Sequence, residues 1–220
     1  MKTDPGVKIA GENTVAKWKD LKKKLSVGRS DNWKQAYEDF FLKRLETRYF
    51  EPIRVLKKHG DRAGEGFSIT ALHCTLIEFL ASTLEGKSYK QRPHDAKPNW
   101  ECGDYEYSQS SKLFNNFLFE QIPFKDHFSS LTAANKFYEN VRCPLLHEAR
   151  TKGRWRILAG SSSAPPIDVK KKIVYRDNFH LAFEKFVDWY TTVPLIIEQI
   201  QLVRHTAPFH CVVVFRKQLN

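Results

Sequence analysis

Tyr138-Glu139-Asn140-Val141-Arg142-Cys143-Pro144-Leu145-Leu146-His147-Glu148-Ala149-Arg150 places an arginine and a histidine five positions apart inside an otherwise apolar pattern. Val141, Leu145 and Leu146, with Ala133 and Phe137 upstream, recur at helical spacing and predict one buried face, with Thr132 as the helix cap. Arg142 and His147 interrupt that pattern. A five-residue step turns about 500° around an ideal helix, so in a straight helix the two side chains diverge by about 140°. Pro144 lies between them. Without a backbone donor it can kink or rewind the helix and draw the two groups together. A two-fold dimer is the other route, with both pairs facing one cleft.

Working outward, apolar residues at the same period predict further helices. Asp31 is a candidate N-cap for a helix over 31–49, along which Trp33, Tyr37, Phe40, Phe41, Leu45 and Tyr49 form an aromatic face. Pro52 interrupts it, and Ile53, Val55 and Leu56 suggest that it resumes after a kink. Residues 59–66 read as a glycine-rich connector, and 67–85 as the most apolar helix, the centre of a bundle. Within that helix His73 and Glu78 must either face outward or find partners, because an unpartnered buried polar group is costly. Residues 86–107 form a polar loop, and 111–121 a helix stopped by Pro123. Residues 154–158 and 171–175 read as two strands of a hairpin, followed by a long helix capped by Asp177 and bent near Pro194. Residues 209–215 are β-branched and apolar, a third strand that could join the hairpin.

The fold class that follows is mainly α: a four- or five-helix bundle with a small appended β-hairpin or three-stranded sheet near the C-terminus. One helical domain is expected over residues 31–220, with a β insertion at about 154–176. Residues 1–30 carry eight Lys or Arg against three acids and form a basic arm. Val15, Trp18, Leu21 and Leu25 could line one face of a short amphipathic helix that touches RNA, or the arm is a mobile, solvated tail.

The formal net charge of +11 favours a polyanionic partner, nucleic acid ahead of an anionic membrane. Cys74, Cys102, Cys143 and Cys211 are widely spaced and form no Cys-x-x-Cys pair. Neither a zinc site nor a disulfide framework is indicated. His94, Asp95 and Cys102 match no ligand spacing, so no metal and no cofactor are expected. The first ten residues lack a signal-like apolar core and no apolar run reaches bilayer length, so the expectation is a cytoplasmic protein without a membrane partner.

Arginine can grip a phosphate with paired hydrogen bonds, and an imidazole, titrating near ~6.5 when unperturbed, exchanges protons at physiological pH. Arg142 and His147 together would therefore suffice for metal-free RNA cleavage. The alternative is that both are ordinary helix-end residues, with His147 near a C-terminus whose dipole favours a cation.

A helical domain of this size whose late helix carries arginine, four intervening residues and histidine resembles the HEPN family of ribonucleases and RNA-binding bundles. Residues 137–149 look like the family's late helix and 67–85 like its early core helix. The resemblance implies a HEPN-like bundle, a homodimer with its cleft at the interface, and metal-independent endoribonuclease activity with Arg142 and His147 as catalytic residues. It also implies a setting in prokaryotic defence or toxin–antitoxin systems, with RNA as substrate and an antitoxin or defence protein as a possible partner.

Many members carry a polar residue directly after the arginine, where this chain has Cys143. Asn140 and Glu78 are the candidate supporting residues. Glu148 and Ala149 follow the histidine where adenylylated toxins have a tyrosine, so that mode of control is not expected. Arg150, Lys152, Arg154 and Arg156 would extend the cleft along an RNA backbone. Trp155 either stacks on a base or packs the strand onto the bundle.

Overall fold

In the computed structural model, residues 4–26, 30–60, 64–192, 200–201 and 214–215 are described. The chain opens with a small antiparallel pair, β1 (Lys8–Ala10) and β2 (Asn13–Thr14), that leads directly into α1 (Val15–Lys24). Helical structure continues through α2 (Ser30–Ala36), a π-helical turn Tyr37–Leu42, α3 (Lys43–Leu45), a second π-turn Glu46–Phe50 and α4 (Glu51–His59). Next come α5 (Glu65–Glu85), the parallel pair β3 (Ser88–Tyr89) and β4 (Glu106–Tyr107), and α6 (Ser110–Glu120). Then follow α7 (Leu131–Phe137), a third π-turn Tyr138–Arg142, α8 (Cys143–Glu148), β5 (Arg156–Leu158), β6 (Ile167–Asp168), β7 (Ile173–Tyr175) and α9 (Arg176–Thr192). A last antiparallel pair joins β8 (Ile200–Gln201) to β9 (Val214–Phe215). The protein is thus mainly helical with small sheets.

Where the sequence predicts one domain after residue 31, the fold divides into two compact units: 1–52 with 82–108 and 193–220, and 53–81 with 109–192.

In the first unit the basic arm is not a solvated tail over its described residues 4–26. Ile9, Ala10, Val15, Leu21 and Leu25 are buried with Trp33, Ala36 and Phe40, and Trp18 packs on Phe40 at 5.0 Å between ring centroids. Burying an aliphatic side chain is worth about 1.5–3 kcal/mol, so these residues together outweigh the tendency of the lysine-rich segment to stay solvated. Polar ties add register: the Asn13 side chain donates to the Asp39 carbonyl at 2.7 Å, and Arg44 donates to the Ile9 carbonyl at 3.2 Å.

In the second unit α5 contributes Ile69, Leu76, Ile77 and Leu80 to a core dominated by Phe114, Phe124, Phe137, Phe179, Phe183 and Phe186. Phe124 meets Phe179 edge-on at 5.9 Å, and Phe179 lies 4.9 Å from Phe183. By length and composition α5, with 21 residues and an 18-residue stretch of mean hydropathy 1.4, is long and apolar enough to cross a bilayer, where the sequence reading expects no such segment, and half of that stretch is buried in the fold. His73 and Glu78 both find partners, His180 and Arg142 respectively.

Several expected details differ. Ser130, not Thr132, caps α7, its hydroxyl accepting from the Ala133 amide at 3.2 Å. The two predicted strands do not form a hairpin: β5 pairs with β7 in parallel, and β6 completes the three-stranded sheet on the other side of β7. Parallel pairing needs a crossover, and residues 159–172 supply one. Asn178 pins that crossover to the start of α9, donating to the Ser161 and Ala164 carbonyls at 2.9 and 2.8 Å. Ile200 lies in a strand rather than in the last helix, and Val214–Phe215 pairs with it rather than with the central sheet. The bend at Pro194 and most of the 209–215 segment lie outside the described residues.

Candidate functional site

Pro144 sits at the first turn of α8, after the π-turn Tyr138–Arg142. In that wider turn the Cys143 amide bonds back five residues to the Tyr138 carbonyl. In an α-helix residue 144 would serve the carbonyl of Asn140, and proline cannot. That carbonyl instead accepts the Lys152 amide at 2.8 Å, which folds the segment after α8 back against the π-turn. Proline therefore redirects a backbone acceptor and does not break the helix.

Arg142 ends the π-turn and is mostly buried, with 16% of its side chain exposed. Its Nη2 donates to Glu78 Oε2 at 3.1 Å, and Glu78 Oε1 accepts from the Ser110 hydroxyl at 2.6 Å. The guanidinium carbon lies 5.2 Å from the centre of the Tyr138 ring, one helical turn earlier, a cation–π distance. Tyr138 is itself braced edge-on against Phe114 at 5.2 Å.

Burial alone would lower the Arg142 pKa, but Tyr138 and Glu78 outweigh it and raise it above the usual arginine value. Burial pushes the Tyr138 phenol up, opposed by the Arg142 charge. Cys74, one turn before Glu78 on α5, is pushed up to about 12, chiefly by burial, so its thiol stays protonated near Arg142. A guanidinium has five N–H donors, so the bond to Glu78 does not saturate it. The result is a fixed, permanently charged donor array.

His147 stands in the last turn of α8 and is exposed. Ala149 at φ 51° ends the helix in the left-handed conformation, its amide bonded to the Pro144 carbonyl. Arg142 turns inward to Glu78 and Tyr138 while His147 faces solvent, and α8 between them is regular.

The remaining expected site residues divide. Asn140 does not serve Arg142: its side chain donates to the Lys136 carbonyl at 2.8 Å and lies against Gly153. Arg150 and Lys152 are exposed but both bind the Glu148 carboxylate, whose pKa is lowered by those hydrogen bonds, Lys152 first. Arg154 and Arg156 are exposed, and Arg154 has a positive φ of 66°. Trp155 is 6% exposed and meets Phe137 edge-on at 5.2 Å. Its packing role is the one realised, and no face is left open for a base.

Ser110 and Tyr138 were not singled out from the sequence. The four-residue step from Tyr138 to Arg142 was a usable signal, since such pairs adjoin on a helix. Ser110, 32 positions from Glu78, had none. Among the described residues no three His, Cys, Asp or Glu side chains gather as a metal site requires. No protein family, curated protein or solved structure matches the chain.

Proposed function

We propose that the protein is a HEPN-like, metal-independent endoribonuclease acting as a homodimer, in which Arg142 of one subunit works with His147 of the other. The observation that carries this reading is the pairing of a guanidinium held in place by Glu78, Ser110 and Tyr138 with an exposed imidazole five residues later on the same helical run. The inward and outward directions of the two groups favour a cleft completed by a second chain.

In the proposed reaction an imidazole takes the proton from a ribose 2′-hydroxyl, whose oxygen attacks the adjacent phosphorus. The bond from phosphorus to the 5′-oxygen breaks, and that oxygen takes a proton from solvent water, which the imidazolium replaces with the one it had accepted. Arg142 neutralises charge growing on the non-bridging oxygens. The products are a cyclic 2′,3′-phosphate and a 5′-hydroxyl. Arg154 and Arg156, with Arg150 and Lys152 once their Glu148 pairs open, would track the backbone. The biological setting we propose is prokaryotic defence or a toxin–antitoxin pair, with a neutralising protein as partner.

A second reading, a catalytically silent RNA- or protein-binding bundle, is favoured by Cys143 beside the arginine and by the existing Arg142–Glu78 pair. Cellular RNA incubated with purified protein in EDTA separates the two. Wild type should cut it. His147→Ala should be slower by roughly 100- to 10,000-fold, the worth of positioned proton transfer, and Arg142→Ala similarly impaired. Intact RNA with wild type, or cutting by both variants at the wild-type rate, removes the catalytic reading.

A further inference from the structure

The lysine-rich segment that the sequence reads either as an RNA-touching helix or as a solvated tail is folded here into a surface of definite shape. A cavity of about 580 Å³ opens beside α1, with Lys19, Lys22 and Lys23 on its walls and Pro5, Ala16 and Leu25 among its apolar lining. The floor is held by the backbone: the Ala16 amide donates to the Pro5 carbonyl at 3.0 Å and the Val15 amide to the Val7 carbonyl at 2.9 Å. Asp20, the one acid of the lining, is bound to Lys23 at 2.9 Å, and among the described residues neither Lys19 nor Lys22 has an acidic partner. Lys19 and Lys23 are four apart and Lys22 is three from Lys19, so the helix face sets like charges side by side, a repulsive arrangement that a polyanion relieves.

We infer that this groove is a second nucleic-acid site, one that takes the phosphodiester backbone of a single strand and shares no residue with the Arg142 site. The lysines would hold phosphates while the apolar floor accommodates sugar and base edges. An anionic membrane is the other candidate for such a helix, but lipid binding uses an outward apolar face. Here Val15, Leu21 and Leu25 are turned into the unit's own core, at 1%, 6% and 7% exposure.

The test is fluorescence anisotropy of the full chain with a labelled 2′-O-methyl RNA oligomer, which has no 2′-hydroxyl to attack and so reads binding alone. The combined variant Lys19→Gln/Lys22→Gln/Lys23→Gln should weaken binding about tenfold or more. It should also lower the slope of log affinity against log salt by about 2, from about 0.7 per lost single-strand phosphate contact. Lys97→Gln/Lys170→Gln/Lys185→Gln, an equal charge change at exposed positions elsewhere, should leave both nearly unchanged. An unaffected groove variant, or equal losses in the two triples, overturns the site. Lysine-dependent binding to phosphatidylserine vesicles without binding to the oligomer overturns it in favour of a membrane. Arg142→Ala/His147→Ala should keep the groove-dependent binding, so a failure of the catalytic reading is distinguishable from a failure of this one.

Discussion

At the scale of single residues, the second unit solves the problem of buried polar groups in two ways. Arg142 and Glu78 neutralise each other, and Ser110 satisfies the other carboxylate oxygen. Among the described residues the polar partner of His73 is another imidazole: its Nε2 lies 3.4 Å from His180 Nδ1, and its ring stacks on Phe183 at 5.2 Å and meets Phe179 edge-on at 5.0 Å. A cation there would face lost solvation, His180 and Lys57, so burial first and those charges second hold the His73 pKa well below 6.5. The unfolded chain therefore binds a proton that the folded one refuses. Stability from this residue is fully present above about pH 6.5 and falls below it, by up to about 1.4 kcal/mol per pH unit until the folded pKa is reached. Urea unfolding between pH 7 and 5 should show that decline, and His73→Leu should flatten it by about one proton's worth of slope. An unchanged slope in the variant would place the acid sensitivity elsewhere.

At the scale of elements, two of the prolines that the sequence marks as interruptions, Pro52 and Pro144, follow π-turns. Pro52 comes two residues after Glu46–Phe50 and Pro144 two residues after Tyr138–Arg142. A π-turn already shifts the hydrogen bonds to five-residue spacing, so the missing amide and the ring are accommodated there. For Pro144 the consequence extends outward, because the Asn140 carbonyl becomes the anchor for Lys152 and the following turn. Gly153 closes that turn at φ +58°, and a Cβ there would lie 2.6 Å from Asn140 Oδ1. Gly153→Ala should therefore cost about 1–3 kcal/mol, read as a lowered midpoint in thermal denaturation. A midpoint within error of wild type would mean that the turn relaxes without resistance. The start of α6 and α5 from Phe67 onward were legible from apolar periodicity, as was the amphipathic pattern of α1, whereas Glu65 and Gly66 were read into the connector. The π-turns were not, because Tyr37, Phe40 and Phe41 fit a 3.6-residue period equally well. Parallel pairing of β5 with β7 was hidden for a related reason: strand patterns carry side-chain alternation but no direction, and two strands close in sequence read most simply as a hairpin.

At the scale of the whole molecule, the candidate site was legible as two residues and illegible as an arrangement. Arg142 and His147 stand out by type and spacing, yet the partners that aim Arg142 come from α5 and α6, far away in sequence. Arg142 turns inward and His147 outward, which makes a dimeric cleft a question of chemistry in addition to one of mass. If the arginine of one subunit works with the histidine of its partner, then Arg142→Ala and His147→Ala proteins, each inactive alone, should complement when mixed and allowed to exchange subunits. In the mixed dimer one cleft lacks both groups and the other has both. With random exchange half the dimers are mixed, so activity should recover to about a quarter of wild type, set by the symmetry alone. If both groups act within one chain, no subunit in the mixture carries a complete pair and activity stays at the level of the separate variants. Recovery should also fall on dilution below the dimer dissociation range and return on concentration, whereas a monomeric enzyme would keep the same activity per molecule throughout.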